Sequence, residues 1–368
     1  MKILELTNFS AGICGVFARV KQESALLKKH GHDVRIFSSN FFKGSNEIAK
    51  KDEKIEDVII KRFPAIHLGG ESFLKWDFEN DAMDFNPDII IAHSYRQLHT
   101  TKALKLGKKI GCKVFLVTHA PFARTSRLLF QKLIVWFYDN TIGSSSIRKF
   151  DKVIAITKWE FPYLIKLGIK DIEYIPNGIP NEFFIRKKEK GKNKILFLGR
   201  VSPIKNLEVI IKALSLVKDK SLILEVVGPA EKNYLNSLKQ LIKQEGLGKK
   251  VIFSPAIYDL KEKIKKIDSA KIFILPSKSE GMPQSLIEAM AREKIVIASD
   301  NLASRDLIKN NENGFLFSSD NSKELSDIIN RIITNKVKSV KIKMEAKKSV
   351  EQFCWDLIIK KIENLLIQ

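Results

Sequence analysis

The stretch 270–291 constrains the fold more than any other part of the chain. Ala270–Leu275 is apolar and rich in β-branched or aromatic residues, which predicts a buried strand. Pro276 and the serines beyond it end that strand, and Gly281 permits a tight turn. Pro283 suits the first position of a helix, where a missing N–H costs nothing. A buried strand, a loop and a helix in this order are typical of an α/β sheet.

Two carboxylates, Glu280 and Glu288, fall on the loop and on the helix of this unit. In open α/β sheets, ligands bind at the carboxyl ends of the strands, which is where Glu280 is expected. Both side chains are therefore candidates to contact a polyhydroxylated ligand. Considered alone, the same pair would also fit acid/base chemistry for hydrolysis.

The alternation of strands and helices runs along the whole chain and restarts once. Lys2–Leu6, a loop with Gly12 and Gly15, a helix and a second strand form a βαβ unit, the opening of a Rossmann-like sheet. A charged stretch precedes Lys194, where the alternation begins again. We therefore predict an α/β protein of two Rossmann-like doubly wound domains that face each other across a cleft. The predicted segments are a first domain 1–180, a linker 181–193, a second domain 194–348 and a C-terminal helical segment 349–368.

The formal net charge of +22 indicates a polyanionic partner, such as nucleic acid, an anionic membrane surface or a phosphorylated substrate. Residues 95–170 contain 15 Lys/Arg against 3 Asp/Glu, so a basic face is expected on the first half of the chain. The alternative is that these are ordinary solvated faces. No zinc-finger, RRM or helix-turn-helix pattern accompanies the charge, so nucleic acid is not the expected partner.

The N-terminus is a poor signal peptide because Glu5 interrupts its apolar part. No apolar run approaches the ~20 residues that span a bilayer. Cys14, Cys112 and Cys354 are far apart and include no Cys-x-x-Cys, which predicts neither a disulfide framework nor a zinc site. A cytoplasmic protein is expected.

An apolar and aromatic segment, 128–138, contains Lys132 and Trp136 and follows Arg124 and Arg127. The pattern fits either a buried helix or a segment that lies on an anionic membrane. The second interpretation predicts a peripheral protein on the inner face of the cell membrane.

Arg200 and Lys205 belong to the run Gly199–Asn206, which follows the first strand of the second domain. Two cations beside a helix N-terminus suit a diphosphate, and each charge-assisted hydrogen bond would contribute about 1.5–3 kcal/mol. The alternative is that Arg200 and Lys205 are ordinary solvated charges. This alternative is less favoured because Glu280 and Glu288 are expected at the same edge of the sheet.

Other ligand-edge candidates lie in the first domain. Gly15 lets a backbone N–H approach an anion, although its loop lacks Gly-x-Gly-x-x-Gly and would also fit a simple tight turn. His93 and His119 end two predicted strands, and a structural hydrogen-bonded role is the alternative for each, more so for His93. Between them, helical spacing predicts a helix that ends at Gly107.

In combination, these motifs resemble those of the retaining GT-B glycosyltransferases of family 4, over nearly the whole chain. The matching stretches are Gly199-Arg200 with Lys205-Asn206, Pro276-Ser277, the Glu-x7-Glu of Glu280 and Glu288 followed by Ala289-Met290-Ala291, Asn177-Gly178-Ile179, Gly31-His32-Asp33-Val34 and Asn313-Gly314-Phe315-Leu316. The resemblance implies transfer of a hexose-type sugar from a UDP- or GDP-sugar, such as GDP-mannose, to a glycan or lipid-linked acceptor with retention of configuration. It also implies an acceptor-binding first domain, a donor-binding second domain and a last helix, within 349–368, that returns to the first domain.

The resemblance gives roles to individual residues. Arg200 and Lys205 would bind the donor diphosphate. Glu280 would hold sugar hydroxyls and Glu288 ribose hydroxyls, and His119 would face the donor sugar. The implied catalytic set is Arg200, Lys205, Glu280 and His119. Further donor contacts would come from the backbone at Gly15 and around Gly281, Met282, Pro283, Gln284 and Ser285, where Pro283 itself has no N–H to donate.

Three positions depart from the family pattern. Cys14-Gly15 replaces paired glycines, Glu293-Lys294-Ile295 stands where Gly-x-Pro is common, and Asp306 stands where a Glu is usual. The first and third would alter loop geometry or donor contacts, and none removes the cations or the glutamate pair.

No Asp-x-Asp occurs near the nucleotide motifs. Asp77-Phe78-Glu79 comes nearest and is predicted to form an exposed acidic loop. We predict that no metal and no other cofactor is required, because Arg200 and Lys205 supply the positive charge. A sugar-nucleotide epimerase or a phosphorylase of the same fold is the alternative enzyme.

Overall fold

A computed structural model describes residues 1–12, 14–45, 47–69, 73–123, 129–185 and 192–368. The chain divides into two units, the first made of Met1–Gly178 with Asp356–Gln368 and the second of Ile179–Trp355. Residues 186–191 of the predicted linker lie outside the described residues.

The first unit is built on parallel strands. Its described strands are β1 (Lys2–Phe9), β2 (Asp33–Ser39), β3 (Asp52–Ile55), β4 (Val58–Phe63), β5 (Ala65–Gly69), β6 (Phe73–Trp76), β7 (Ile89–His93), β8 (Lys113–Val117), β9 (Lys152–Ala155) and β10 (Ile172–Tyr174). Eight of them form one sheet in the order β10-β9-β8-β7-β1-β2-β4-β3, in which only the β3–β4 pair is antiparallel. β5 and β6 form a separate antiparallel pair.

Helices connect these strands. They are α1 (Gly15–Lys29), α2 (Glu79–Phe85), α3 (Leu98–Ile110), α4 (Leu129–Tyr138), α5 (Ser144–Ile147) and α6 (Phe161–Lys166). Strands such as β7 are buried along their whole length, because helices cover both faces of a parallel sheet.

The second unit has a six-stranded parallel sheet. Its strands are β11 (Lys192–Leu198), β12 (Ile223–Val227), β13 (Val251–Ser254), β14 (Ala270–Leu275), β15 (Ile295–Ser299) and β16 (Phe315–Phe317), in the order β13-β12-β11-β14-β15-β16. Its helices are α7 (Leu207–Leu216), α8 (Lys232–Gln244), α9 (Leu260–Asp268), α10 (Gln284–Ala291), α11 (Leu302–Leu307), α12 (Ser322–Ile333) and α13 (Ser339–Val350). The last helix, α14 (Trp355–Ile367), belongs to the first unit from Asp356 onwards.

The strand order reverses in both sheets beside the first strand. β1 lies between β7 and β2, and β11 lies between β12 and β14. Such a switch point opens a crevice at the carboxyl ends of the strands, where α/β proteins bind ligands. Two Rossmann-like units of this kind confirm the predicted fold class.

The structure corrects the interpretation of 128–138 as a buried helix. Residue 128 lies outside the described residues, and none of the residues of α4 is buried. Its large apolar side chains are between 57% and 79% exposed: Leu129, Phe130, Leu133, Ile134, Trp136 and Phe137. The apolar pattern correctly indicated a helix but could not show whether another layer covers it. Within the described ranges, no helix combines the length and apolar character needed to cross a bilayer.

The end of α3 also differs from the prediction. The helix passes through Gly107 and ends at Gly111, whose φ is 83°. A Cβ at Gly107 would lie 2.1 Å from Cγ2 of Val114. This glycine is therefore required for close packing of the helix on β8, and not for ending it.

Candidate functional site

The loops after β11 and β14 meet at the switch point of the second sheet. Lys205 follows β11 and Glu280 follows β14, and Lys205 Nζ lies 2.5 Å from Glu280 Oε1. The N–H of Lys278 donates to the carbonyl of Ile204 at 2.9 Å, which joins the same two loops through their backbones. The side chains of Lys205 and Glu280 are only 19% and 13% exposed. Two residues 75 apart in sequence are thus held in one place.

Each member of this pair retains hydrogen-bonding capacity. An ammonium has three N–H donors and a carboxylate has about four acceptor positions, so one contact leaves most of both unused. The pair can therefore offer a cation to a phosphate oxygen and a carboxylate to a hydroxyl. Partial burial strengthens both interactions relative to water.

Arg200 stands at a tightly built turn after β11. A Cβ on Gly228 would lie 2.0 Å from the carbonyl oxygen of Gly199, and Gly228 has a φ of 147°. The backbones after β11 and β12 therefore touch here, which only glycine allows. Arg200 itself is exposed and forms no ion pair with any residue that the structure describes. Its long, exposed side chain is therefore a candidate to contact a ligand.

Glu288 lies inside α10 and pairs with a residue that the sequence did not single out. Its Oε1 is 2.5 Å from Nζ of Lys263 on α9. Burial raises the pKa of Glu288, and the charge and hydrogen bond of Lys263 oppose that rise. The second oxygen, Oε2, is buried and accepts no hydrogen bond from the described residues. An orphaned buried acceptor is costly, and a ligand hydroxyl would satisfy it.

The loop 281–283 leads into α10, whose first two residues are Gln284 and Ser285. The helix begins at Gln284, so Pro283 stands just before it and not at its first position as predicted. Met282 packs against the core of the second unit. Nε2 of Gln284 is buried without a partner among the described residues. Ser285 is half-buried in the first turn, where backbone N–H groups have no partner within the helix.

In the first unit, Gly15 is the first residue of α1. A Cβ there would meet no described atom within 4 Å apart from its chain neighbours, so Gly15 is not required by close packing. Gly12 differs, because its φ is 81° and a Cβ would lie 2.9 Å from the backbone nitrogen of Lys43. Close packing therefore explains the glycine at position 12. It does not explain Gly15, whose position at a helix N-terminus is compatible with the predicted approach to an anion.

His119 lies just after β8 and is joined to a buried chain of hydrogen bonds. Its Nε2 is 2.8 Å from Nδ1 of His93, and Nε2 of His93 is 2.6 Å from Oε2 of Glu5. Burial raises the pKa of Glu5 to about 8 and lowers that of His93 to about 3. Burial, with help from His93 and Arg19, also holds the pKa of His119 well below its usual value.

Glu160, another residue that sequence reasoning missed, holds the backbone of His119. His119 and Ala120 both have positive φ, 58° and 53°, which is costly for residues with a Cβ. The buried Glu160 Oε2 accepts hydrogen bonds from Ala120 N at 2.9 Å and from Thr118 Oγ1 at 2.5 Å. Thr157 completes a capping box with the same glutamate.

The segment Asp77-Phe78-Glu79 is only partly the exposed acidic loop that was predicted, because Asp77 is exposed but Glu79 is half-buried and begins α2. Phe78 is buried, since it packs in the core of the first unit. The carboxylates of Asp77 and Glu79 both pair with Lys102, at 2.5 and 2.9 Å. Across the described ranges, no three His, Cys, Asp or Glu side chains converge as metal ligands.

Two Rossmann-like units, each with a switch-point edge carrying polar side chains, define a GT-B fold. Two family models together match residues 13–349: "Glycosyltransferase Family 4" over 13–183 and "Glycosyl transferases group 1" over 178–349. The chain belongs to the group 1 glycosyltransferases of the GT-B fold.

Similar proteins agree with this assignment. The chain is 28% identical to an uncharacterized glycosyltransferase of Methanocaldococcus jannaschii over 336 residues, which cover 84% of this chain and 83% of the relative. It is 27% identical over 301 residues, 76% of this chain and 75% of the relative, to the UDP-Gal:alpha-D-GlcNAc-diphosphoundecaprenol alpha-1,3-galactosyltransferase of Escherichia coli. The solved structure of Anabaena HepE in complex with UDP matches with a TM-score of 0.79 and 18% identity over 100% of both chains, and so shares the fold.

Removal of the cation beside Glu288 tests how that carboxylate is held. We expect Lys263→Met to destabilise the protein by about 3 kcal/mol, because it leaves Glu288 buried without its partner. The pKa of Glu288 in the folded protein, which burial already raises, should rise further. At a pH between the unfolded-state and folded-state pKa values, the folded state then binds a proton that the unfolded state has lost. Stability then falls as pH rises above the unfolded-state pKa, and the loss should be larger at pH 8 than at pH 5. Urea denaturation at both pH values measures it.

Lys261→Met is the matched control, since Lys261 is exposed on the same helix. We expect it to change stability by less than about 0.5 kcal/mol. Adding Glu288→Gln to Lys263→Met should restore much of the loss. Equal stability of Lys263→Met and the wild type at both pH values would contradict this account.

Proposed function

We propose that the protein transfers a hexose-type sugar from a nucleotide diphosphate sugar, most readily a UDP-sugar, to a lipid-linked or other glycan acceptor with retention of configuration. The Lys205–Glu280 pair at the switch point of the second sheet carries the proposal. A cation and a carboxylate side by side suit a sugar diphosphate, which supports the proposal. The names of the E. coli relative and of the HepE complex support UDP as the nucleotide, and the E. coli name supports a diphosphoundecaprenol-linked acceptor.

The cations act on the leaving group. When the glycosidic bond breaks, the nucleotide diphosphate gains negative charge. Lys205 is already fixed by Glu280 and Arg200 is exposed nearby in the chain, so both are available to stabilise that charge. Gly15 supplies a further N–H at a helix start, in the role that the family resemblance gives it.

The carboxylates hold hydroxyls. Glu280 accepts a hydrogen bond from Lys205, and its remaining acceptor positions suit sugar hydroxyls. The unsatisfied Oε2 of Glu288 suits a ribose hydroxyl. This assignment favours substrate holding over acid/base hydrolysis, because each glutamate is engaged by a lysine.

Retention of configuration follows the family resemblance. Attack of the acceptor hydroxyl on the face from which the diphosphate leaves would let a phosphate oxygen take the acceptor proton. No separate protein base is then needed.

Replacement of Lys205 tests the proposed site. We expect Lys205→Ala to lower kcat/KM for sugar transfer by about 100-fold or more, because it removes a charge that acts mainly in the transition state. Arg200→Ala should give a loss of the same kind. Release of labelled sugar from UDP- and GDP-sugars, with anomeric NMR of the product, measures both rate and stereochemistry.

Lys239→Ala provides the control, since Lys239 is an exposed lysine on α8 of the same unit. Its activity should equal that of the wild type. Wild-type transfer in Lys205→Ala would refute the site. Conversion of the donor without an acceptor, or dependence on inorganic phosphate, would instead favour an epimerase or a phosphorylase.

Metal independence is the second expectation for this reaction. Since protein cations are proposed to neutralise the diphosphate, excess EDTA should lower the transfer rate by less than about twofold. The same rate should be measured after Mg²⁺ or Mn²⁺ is added back. A loss of activity in EDTA that Mn²⁺ restores would show that a metal is required.

We also propose that α4 docks on an anionic membrane from the cytoplasmic side. Its exposed apolar and aromatic side chains suit the boundary between headgroups and acyl chains, and the basic excess of residues 95–170 suits anionic lipids. Lys132 is on this helix, whereas Arg124 and Arg127, predicted to help, lie outside the described residues. Three cysteines that are far apart in sequence, with no Cys-x-x-Cys, suit a reducing compartment.

Flotation with liposomes tests the docking. The wild type should float with vesicles that contain phosphatidylglycerol and much less with neutral phosphatidylcholine vesicles. A double variant, Leu133→Ser with Phe137→Ser, should bind at least about tenfold more weakly, because it removes two apolar anchors. Val340→Ser with Met344→Ser removes two exposed apolar side chains from α13 and should bind like the wild type. Equal binding to both vesicle types, or no effect of the α4 variant, would contradict the proposal.

A further inference from the structure

A line of three hydrogen-bonded side chains crosses the carboxyl edge of the first sheet. Glu5 is on β1, His93 is the last residue of β7, and His119 follows β8, and these three strands are neighbours. The two contacts in the line are 2.6 and 2.8 Å long. Glu5 and His93 are completely buried, whereas His119 is half-buried. The line therefore connects an enclosed carboxyl group to a ring near the surface.

Both ring nitrogens of His93 are used in this line, which couples the protons on the three residues. When Glu5 is protonated, its Oε2–H donates to His93 Nε2, so the His93 proton is on Nδ1. That N–H donates to His119 Nε2, and the proton of neutral His119 must then be on Nδ1. When Glu5 is ionised, each bond reverses: His93 Nε2–H donates to Glu5, His119 Nε2–H donates to His93, and His119 Nδ1 carries a lone pair.

We infer that Glu5 is a positioning residue, which acts through His93 to set whether His119 presents a hydrogen-bond donor or an acceptor at Nδ1. The inference rests on the proposed function only for what His119 meets, a hydroxyl of the donor sugar. With Glu5 protonated, Nδ1–H donates to a hydroxyl oxygen. With Glu5 ionised, Nδ1 can only accept from that hydroxyl.

Protons and charge balance in the change from protonated to ionised Glu5. A proton leaves His119 Nδ1 to water, the His93 Nδ1 proton moves to His119 Nε2, and the Glu5 proton moves to His93 Nε2. One proton is released at the outer end of the line and one negative charge appears on the buried Glu5. Glu5 thus titrates without contact with solvent, and the histidines stay neutral before and after.

Other charged groups around the line influence the pH at which Glu5 ionises and the hydrogen bonds reverse. Arg19 and Glu23 face it from α1, where they pair with each other, and His99 faces it from α3, where its Nε2 donates to the carbonyl of His93. Burial outweighs the attraction of Arg19 and gives Glu5 a pKa of about 8. The histidines have lowered pKa values, so they remain neutral above pH 6.5. Between pH 6.5 and 9.5, ionisation of Glu5 is what reverses the line.

NMR of the ligand-free protein labelled with 15N-histidine tests the inference. Long-range 1H–15N spectra show which ring nitrogen carries the proton, and His119→Asn assigns the His119 signals among the six histidines. In the wild type, we expect Nδ1–H at pH 6.5 and Nε2–H at pH 9.5, with a midpoint near the pKa of Glu5, about 8. In Glu5→Gln, the tautomer of His119 should not change over this range. A wild-type tautomer that stays constant would overturn the inference, and so would a change that persists in Glu5→Gln.

Glu23→Gln is the matched control, because it neutralises a carboxyl group of the same buried cluster that is not part of the line. It should keep the change of tautomer. If the His119 tautomer no longer changed with pH in Glu23→Gln, the change would depend on the total charge of the buried cluster, and the inference would be overturned. Circular dichroism confirms that each variant is folded, and the wild-type titration decides the matter even when a variant does not fold.

A kinetic measurement separates this inference from the proposed reaction. In the wild type, kcat for sugar transfer should change by about tenfold between pH 7 and 9.5, because His119 Nδ1 changes from a donor to an acceptor toward the sugar hydroxyl. In Glu5→Gln, kcat should be independent of pH over the same range. Absence of any transferase activity would refute the proposed function, whereas the NMR titration would still test the line of hydrogen bonds.

Discussion

Neighbouring parallel strands end at the same edge of a sheet, and in both units this constraint decides which polar side chains meet. β11 and β14 are neighbours, so the loops that follow them bring Lys205 to Glu280. β1, β7 and β8 are neighbours, so Glu5, His93 and His119 form one line. Residues far apart in sequence become partners because of strand order, and both groups lie beside the strand where that order reverses.

The features that could be predicted from the sequence are those that depend on the local pattern of residues. Apolar runs and glycine loops indicated two Rossmann-like units, and Glu280 and Lys205 were placed on loops at the carboxyl ends of strands. Lys263 could not be predicted, because the basic residues of α9 have the pattern of a solvated helix face and its partner is on α10. Two other features depend on tertiary packing: whether another layer covers α4, and how closely Gly107 approaches β8. The spacing of apolar residues along the sequence contains no information about either.

Glu5 and Glu160 were missed for a related reason. A glutamate inside an apolar strand looks like an interruption until its partner is known, and that partner, His93, is 88 residues away. Glu160 supports two residues in a strained conformation some 40 residues earlier. Buried carboxyl groups of this kind cost stability, and a protein retains them where they hold a site in place.

The unsatisfied oxygen of Glu288 has a thermodynamic consequence. A hydroxyl that donates to Oε2 stabilises the ionised carboxylate and so lowers the pKa that burial has raised. Binding of a ligand at this carboxylate would then release protons into the buffer. The apparent binding enthalpy would depend on the ionisation heat of the buffer, and titrations in phosphate and in Tris would yield different heats for the same ligand. The difference, divided by the difference in buffer ionisation enthalpy, counts the protons released.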